Sequence, residues 1–321
     1  MTALSPPPRK PAGPSGGSSQ PHEAPGQAWG GVAARMLDAE RLHLQHGPID
    51  LIVTAEGPNR EAALAAALAR TGTILKELMG EWDAIRDPAC PAPRGETARR
   101  MAEACRPFPG LTPMAAVAGA VAETVLAAML EAAPALRRAA VNNGGDIALH
   151  LAPGEATSVE VATPVPSPSG STRGSIPHGF VDARVKPEHD DSRRPTFTID
   201  AASPVRGVAT SGQGGRSLSL GIADAVTVLA ATASQADAAA THLANAVDLP
   251  GHSAIRRAPA DAIKDDADLG AAPVVTAVGP LSQAEVAAAL DRGAASAQAA
   301  RARGLVEAAA FFLRGQARVV P

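Results

Sequence analysis

In the run Ala236-Asp237-Ala238-Ala239-Ala240-Thr241 a carboxylate and a hydroxyl stand four residues apart, which on a helix puts both on one face. Together they suit a hard divalent cation such as Mg2+, completed by carbonyls, waters and phosphate oxygens. Asp224, in Gly221-Ile222-Ala223-Asp224-Ala225, is available as a second carboxylate. The competing reading makes Ser234 a helix cap and Asp237 the acid of its capping box.

Two glycine-rich stretches offer the anion side. Between Gly207 and Ser217 lie four glycines, three hydroxyls and one arginine. Thr210, Ser211, Gly212, Gly214, Gly215 and Arg216 are the residue types that cradle a phosphate through amide, hydroxyl and guanidinium donors. The stretch lacks the Lys and spacing of a Walker loop and the strand-turn-helix setting of a dinucleotide fingerprint. The plainer alternative is a mobile glycine loop. Asn142, Asn143, Gly144, Gly145 and Asp146 form the second stretch. Paired glycines admit an anion close to the backbone, yet Asn-Gly is equally a hairpin signal. The eight histidines show no metal spacing apart from His43 and His46, which read as polar surface or structural hydrogen bonders before pocket residues.

The elements around these residues follow from periodicity. Alternation at Ile49, Leu51 and Val53 predicts a strand, and residues 33–45 form its partner strand or a short helix. A helix is expected from Arg60, capped by Asn59 and ended by Gly80, with a loop over 81–98. Thr112-Pro113 opens a second helix, Met114 to Glu131, apolar on nearly every side and therefore buried within the chain or across a homo-oligomer. Residues 139–151 read as strand, turn, strand. Strands are expected at 196–202, 207–210, 225–230 and 274–278. Helices are expected at 234–245, at 281–290 with a Ser282/Glu285 capping box, and at 295–303, before a terminal hairpin. The fold class is α+β, with mixed or antiparallel sheets and packed helices in two halves.

Residues 1–31 read as a disordered tail rich in Pro, Gly and Ser. Residues 164–195 are polar and Pro-rich, and read as an insertion on a surface hairpin, cheap because loop closure costs rise only logarithmically. Net charge is −3 over 321 residues, and there is no Tyr, so neither a basic field nor an aromatic platform invites nucleic acid. Cys90 and Cys105 are expected as free thiols. No apolar run is expected to span a membrane. The tail lacks a secretory core, so a cytoplasmic location is expected.

Taken together, the segments resemble the ApbE superfamily, flavin transferases that move FMN from FAD onto a Thr or Ser of a target protein. Asn142–Asp146 is similar to that family's Asn-Leu-Gly-Gly-Asn/Asp turn, and Val208–Gly212 to its Ala-Thr-Ser-Gly loop. Asp237 and Thr241 are similar to the Asp and Thr of its Ala-Asp-Ala-x-x-Thr motif. The wording TPMAAVAGAVAE and GVATSGQGGRSLSLGIADAVTVLA looks closer still to the uncharacterised cytoplasmic branch. The resemblance implies an ApbE-like fold over residues 33–320 and Mg2+ on Asp237 and Thr241. It further implies FAD or FMN, or another phosphorylated or nucleotide ligand, as cofactor, and a target protein as partner. Ala118 stands where the transferases carry Lys, and no ring can stack on a flavin as Tyr would. A non-catalytic accessory role, in pterin-linked one-carbon metabolism for example, is the alternative.

Overall fold

The computed structural model describes residues 31–89, 93–160, 196–215, 217–265 and 267–321. The tail and the segment 164–195 fall outside the described residues, as do Cys90 and Arg216. In chain order the first elements are β1 (Ala33–Met36), β2 (Arg41–His46), β3 (Ile49–Glu56), α1 (Arg60–Met79), α2 (Trp82–Ile85) and α3 (Glu96–Cys105). After a 3-10 turn at Pro113–Ala116 come α4 (Val117–Ala132), β4 (Arg138–Asn143), β5 (Asp146–Leu151), β6 (Ala156–Glu160) and β7 (Thr196–Asp200). Then follow β8 (Gly207–Ser211), β9 (Ala225–Ala230), α5 (Ala233–Ala246), β10 (Ile255–Pro259) and α6 (Ala260–Ile263). The last are β11 (Pro273–Val278), α7 (Gln283–Ala302), β12 (Ala308–Leu313) and β13 (Gln316–Val320).

Nine strands form one antiparallel sheet in the order β1-β2-β3-β4-β5-β8-β9-β12-β13. The alternation seen in the sequence sets its faces. Leu51, Val53, Val141 and Ala148 point to one side, where they join Ile74 of α1 and Val125 and Met129 of α4 in a core cluster. Further along the same side, Val226, Val228 and Phe311 meet Leu243 of α5 and Leu290 of α7 in a second cluster. Among the described residues the opposite face is covered in the middle, where Val159 of β6 and Ile199 of β7 pack on Ile147, Leu149, Val208 and Leu229. β9 is therefore buried on both faces, as its run of apolar residues, interrupted only by Thr227, suggests. β6 and β7 pair out to Glu160 and Thr196, so the chain ends flanking the 164–195 segment meet at a hairpin tip.

Several expectations are corrected. Asn59 adopts a left-handed φ of 58° and makes no side-chain cap. Residues 81–98 hold α2 and the start of α3, because Glu81 accepts from the Arg94 and Gly95 amides and starts a helix there. The two C-terminal helices are one, α7, since Asp291, Arg292 and Gly293 continue the turn; its Ser282/Glu285 capping box is formed as expected. β6, β10 and α6 were not anticipated. The Pro113–Ala132 stretch is, against expectation, long and apolar enough to cross a membrane by length and composition. It packs instead between α1, α5 and the sheet, with Gly119, Ala120, Val121, Ala122, Val125 and Met129 buried. Its small residues thus serve packing within this chain.

Candidate functional site

The turn between β4 and β5 is a two-residue hairpin, with Asn143 opposite Asp146 and φ of 67° and 119° at Gly144 and Gly145. Residues with a Cβ rarely adopt such angles. The Asn142 side-chain oxygen accepts from the Gly145 amide at 2.8 Å, closing the turn. Strand alternation sends Asn143 to the helix side with Val141. There its amide donates to the Ala118 carbonyl at 3.1 Å, tying the turn to the start of α4. The Asp146 carboxylate accepts from the Thr210 amide at 3.2 Å, which joins this turn to β8.

Asp237 meets the same point from α5. Its Oδ2 accepts from the Gly119 amide at 2.9 Å, and the Ala118 amide also supports it. The capping-box reading is therefore corrected: Thr232 caps α5, accepting from the Gln235 amide, and Asp237 faces the first turn of α4 instead. Burial pushes its carboxyl well above the usual carboxylate range. The nearby Asp146 adds to that rise, and the two amides oppose it. The residue is still partly open to solvent. Thr241, one turn along, donates to the Ala115 carbonyl at 3.5 Å.

Asn143, Asp237 and Thr241 therefore converge on the Ala115–Gly119 backbone, with Asp146 near Asp237 and tied to the Thr210 amide. Asp224 does not share in this. Its carboxylate accepts from the Arg314 amide at 2.6 Å and holds the β12–β13 turn. Burial raises its carboxyl, opposed by Arg314. The second carboxylate beside Asp237 is Asp146. The sequence carried one signal for this, since strand parity places Asp146 on the face of Ala148, toward the helices.

The Gly207–Ser217 stretch behaves differently from an open anion nest. The amides of Gln213, Gly214 and Gly215 donate to the carbonyls of Ala223, Asp224 and Gly212. A Cβ at Gly212 would meet the Asp224 carbonyl at 2.8 Å, so this loop is pressed against the segment before β9. The Thr210 hydroxyl pairs with that of Thr227 at 2.9 Å. Ser211, beside it, is partly exposed. His43 and His46 do not share a site. His43 bonds Asp50 at 2.6 Å, while His46 is buried and meets the Thr71 carbonyl at 3.2 Å. Cys105 is a free, buried thiol whose pKa burial drives upward.

Among the described residues no group of three or more His, Cys, Asp or Glu side chains is gathered that could hold a metal ion. Two carboxylates, a threonine hydroxyl and main-chain carbonyls are a donor set for a hard cation. Recesses of 330 Å3 beside Arg301 and Glu307, and of 280 Å3 beside Arg41 and Arg138, lie away from this cluster.

A family described as AbpE bacteria matches residues 33–319. The chain belongs to this AbpE family. The match takes in every residue of the cluster, consistent with the ApbE-like resemblance of its motifs. Among curated relatives, the chain is 39% identical over 151 residues to UPF0280 protein MK0206 of Methanopyrus kandleri, covering 47% of this chain and 48% of the relative. It is 37% identical over 162 residues to a UPF0280 protein of Methanosphaerula palustris, covering 50% and 56%. It is 35% identical over 212 residues to a UPF0280 protein of Methanosarcina acetivorans, covering 64% and 72%. The chain thus spans about half the length of the first two.

Proposed function

We propose that this AbpE-family protein binds a phosphorylated or nucleotide ligand of the FAD class beside a divalent cation held by Asp146, Asp237 and Thr241. One observation carries the reading: the Asp237 carboxylate, desolvated against the Gly119 amide of α4, lies close enough to Asp146 for that second carboxylate to disfavour its charge further. Two such carboxylates call for a proton or a cation between them. Thr241 and the carbonyls of the 3-10 turn supply further oxygens of the kind Mg2+ takes.

In transferase mode a target protein's hydroxyl oxygen would bond to the FMN phosphorus and lose its proton to solvent, while the pyrophosphate P–O bond breaks and AMP leaves with the bonding electron pair. A bound cation supplies charge neutralisation on the pyrophosphate oxygens. The chain's part is to hold the carboxylates in register through Asn143, Gly119 and the Thr210 amide, and to bring Ser211 to the phosphates. A second reading, ligand binding without turnover, is favoured by Ala118 in the position of the transferase Lys. It is also favoured by the internal engagement of the Gln213–Gly215 amides.

The purified protein incubated with FAD, with and without Mg2+, separates the two. Mg2+-dependent AMP release that Asp237→Ala abolishes is the expected result for the transferase. Retained yellow chromophore without AMP identifies the binding protein. Absence of both signals overturns the flavin assignment.

A further inference from the structure

The cation-site residues of α5 are not placed on α4 by isolated contacts. Three hydrogen-bonded rungs, about one turn apart, join α5 to α4 and to the 3-10 turn that leads into it. Thr241 donates to the Ala115 carbonyl, the Gly119 amide donates to Asp237, and the Ser234 amide and hydroxyl donate to Glu123 Oε2 at 3.3 and 2.8 Å. The steps 115-119-123 and 241-237-234 run in opposite directions, as they must for antiparallel helices. The first two rungs contain the proposed cation ligands. The third contains no group that reaches the site.

That third rung is the charged one. Glu123 is only 17% exposed, and its other oxygen takes the Arg100 guanidinium. Arg100 also bonds Glu96, at 2.9 Å. Glu123 sits over the first amides of α5, where the helix dipole favours an anion. A carboxylate held by a charged partner and accepting from both a hydroxyl and an amide allows α5 little freedom to slide or rotate. Because Ser234 is one turn before Asp237, any slide at Ser234 is passed to Asp237 almost undiminished.

We infer that Glu123, with Ser234 and Arg100, is a positioning unit that sets the register of Asp237 and Thr241 against the start of α4. It thereby sets affinity for a divalent cation without touching it. This rests on the cation site proposed above. Groups that orient metal ligands from outside the coordination shell characteristically change affinity by about 10- to 100-fold.

The test is Mn2+ titration of the full chain, followed by electron paramagnetic resonance, alongside thermal unfolding. Asp237→Asn reports on the site itself. Glu123→Ala and the milder Ser234→Ala report on the rung, and Glu123→Gln keeps an acceptor for Ser234. Ile74→Val, in the fully buried part of α1, is the stability control. The expected result is binding by the parent, loss in Asp237→Asn, and weakening of about tenfold in Glu123→Ala and Ser234→Ala. Glu123→Gln lies between these and the parent, and Ile74→Val binds as the parent does. If Glu123→Ala and Ser234→Ala bind Mn2+ like the parent while Asp237→Asn does not, the positioning role is overturned and the site stands. If Ile74→Val weakens binding as much as Ser234→Ala, the rung is merely structural. If the parent does not bind, or Asp237→Asn binds equally well, the site itself fails.

Discussion

Asp237 shows how one side chain answers to two neighbours with opposite demands. The α4 amides stabilise its charge, while Asp146 and burial disfavour it. Exchanging it for Asn removes the charge and leaves an oxygen for the Gly119 amide. In a chelator, Asp237→Asn is therefore expected to unfold no lower than the parent. Added Mg2+ stabilises only the parent, by about 2.7 kcal/mol at a hundredfold excess over its dissociation constant. Melting curves with and without Mg2+ check this, and an equal rise in both proteins refutes it. Glu285 is the opposite case. His252, then the Ser282 amide and hydroxyl, hold its carboxyl at about 2, below the ordinary 4.5. A lowered folded value contributes stability above 4.5 that is lost as pH falls through 4.5 toward 2. The stability difference between the parent and Glu285→Gln should be widest near neutrality and close across that window. Urea midpoints measured over that pH range decide it, and a constant gap would assign the capping box to geometry alone.

At the scale of elements, α5 sits where backbone meets backbone. A Cβ at Gly119 would lie 2.2 Å from the Ala233 carbonyl, and one at Gly207 would lie 2.1 Å from the Thr232 carbonyl. Neither neighbour is a side-chain tip that can swing away. Gly119→Ala is expected to cost about 1–3 kcal/mol or more by overpacking, and to weaken Mn2+ binding by pushing α5 off α4. Denaturant unfolding and Mn2+ titration of the same variant check both, and unchanged values in both would show that the helices have room to part. The small-residue run of α4 announced this closeness in the sequence. Which helix would lie there was not legible, because alanine and glycine at 115–120 admit any backbone. Ser234 and Asp237 read locally as a cap and its box. The cap fell to Thr232, two residues earlier, because Ser234 and Asp237 both have partners on α4 far away in the chain.

For the molecule as a whole, the β6–β7 hairpin packs on the outer face of the antiparallel sheet. In the sequence, the 164–195 segment separates the two strands of that hairpin, whose last pair is Glu160 with Thr196. Deleting residues 165–194 is expected to leave the melting temperature within several degrees of the parent, since closing the shorter loop costs less by only about 2 kcal/mol. A large fall would mean that the segment contributes to the core. By contrast, Phe311, fully buried between the sheet and α7, is expected to cost about 3–5 kcal/mol as Phe311→Ala, read from a denaturant midpoint.

Local pattern alone determined the strands at Ile49–Val53 and Ala225–Ala230, the Gly144-Gly145 hairpin and the Ser282/Glu285 capping box, because each rests on contacts within a few residues. It also determined that Asp237 and Thr241 share a helix face, since that is a matter of pitch. Only the tertiary structure decided that Asp146 and not Asp224 faces Asp237. Pairing β5 with β8 and crossing α5 over α4 brings together residues about 90 positions apart, and no spacing rule reaches that far. The same folding closed the glycine loop on its own carbonyls, because once β8 and β9 pair, the Ala223 and Asp224 carbonyls are the nearest acceptors for its amides.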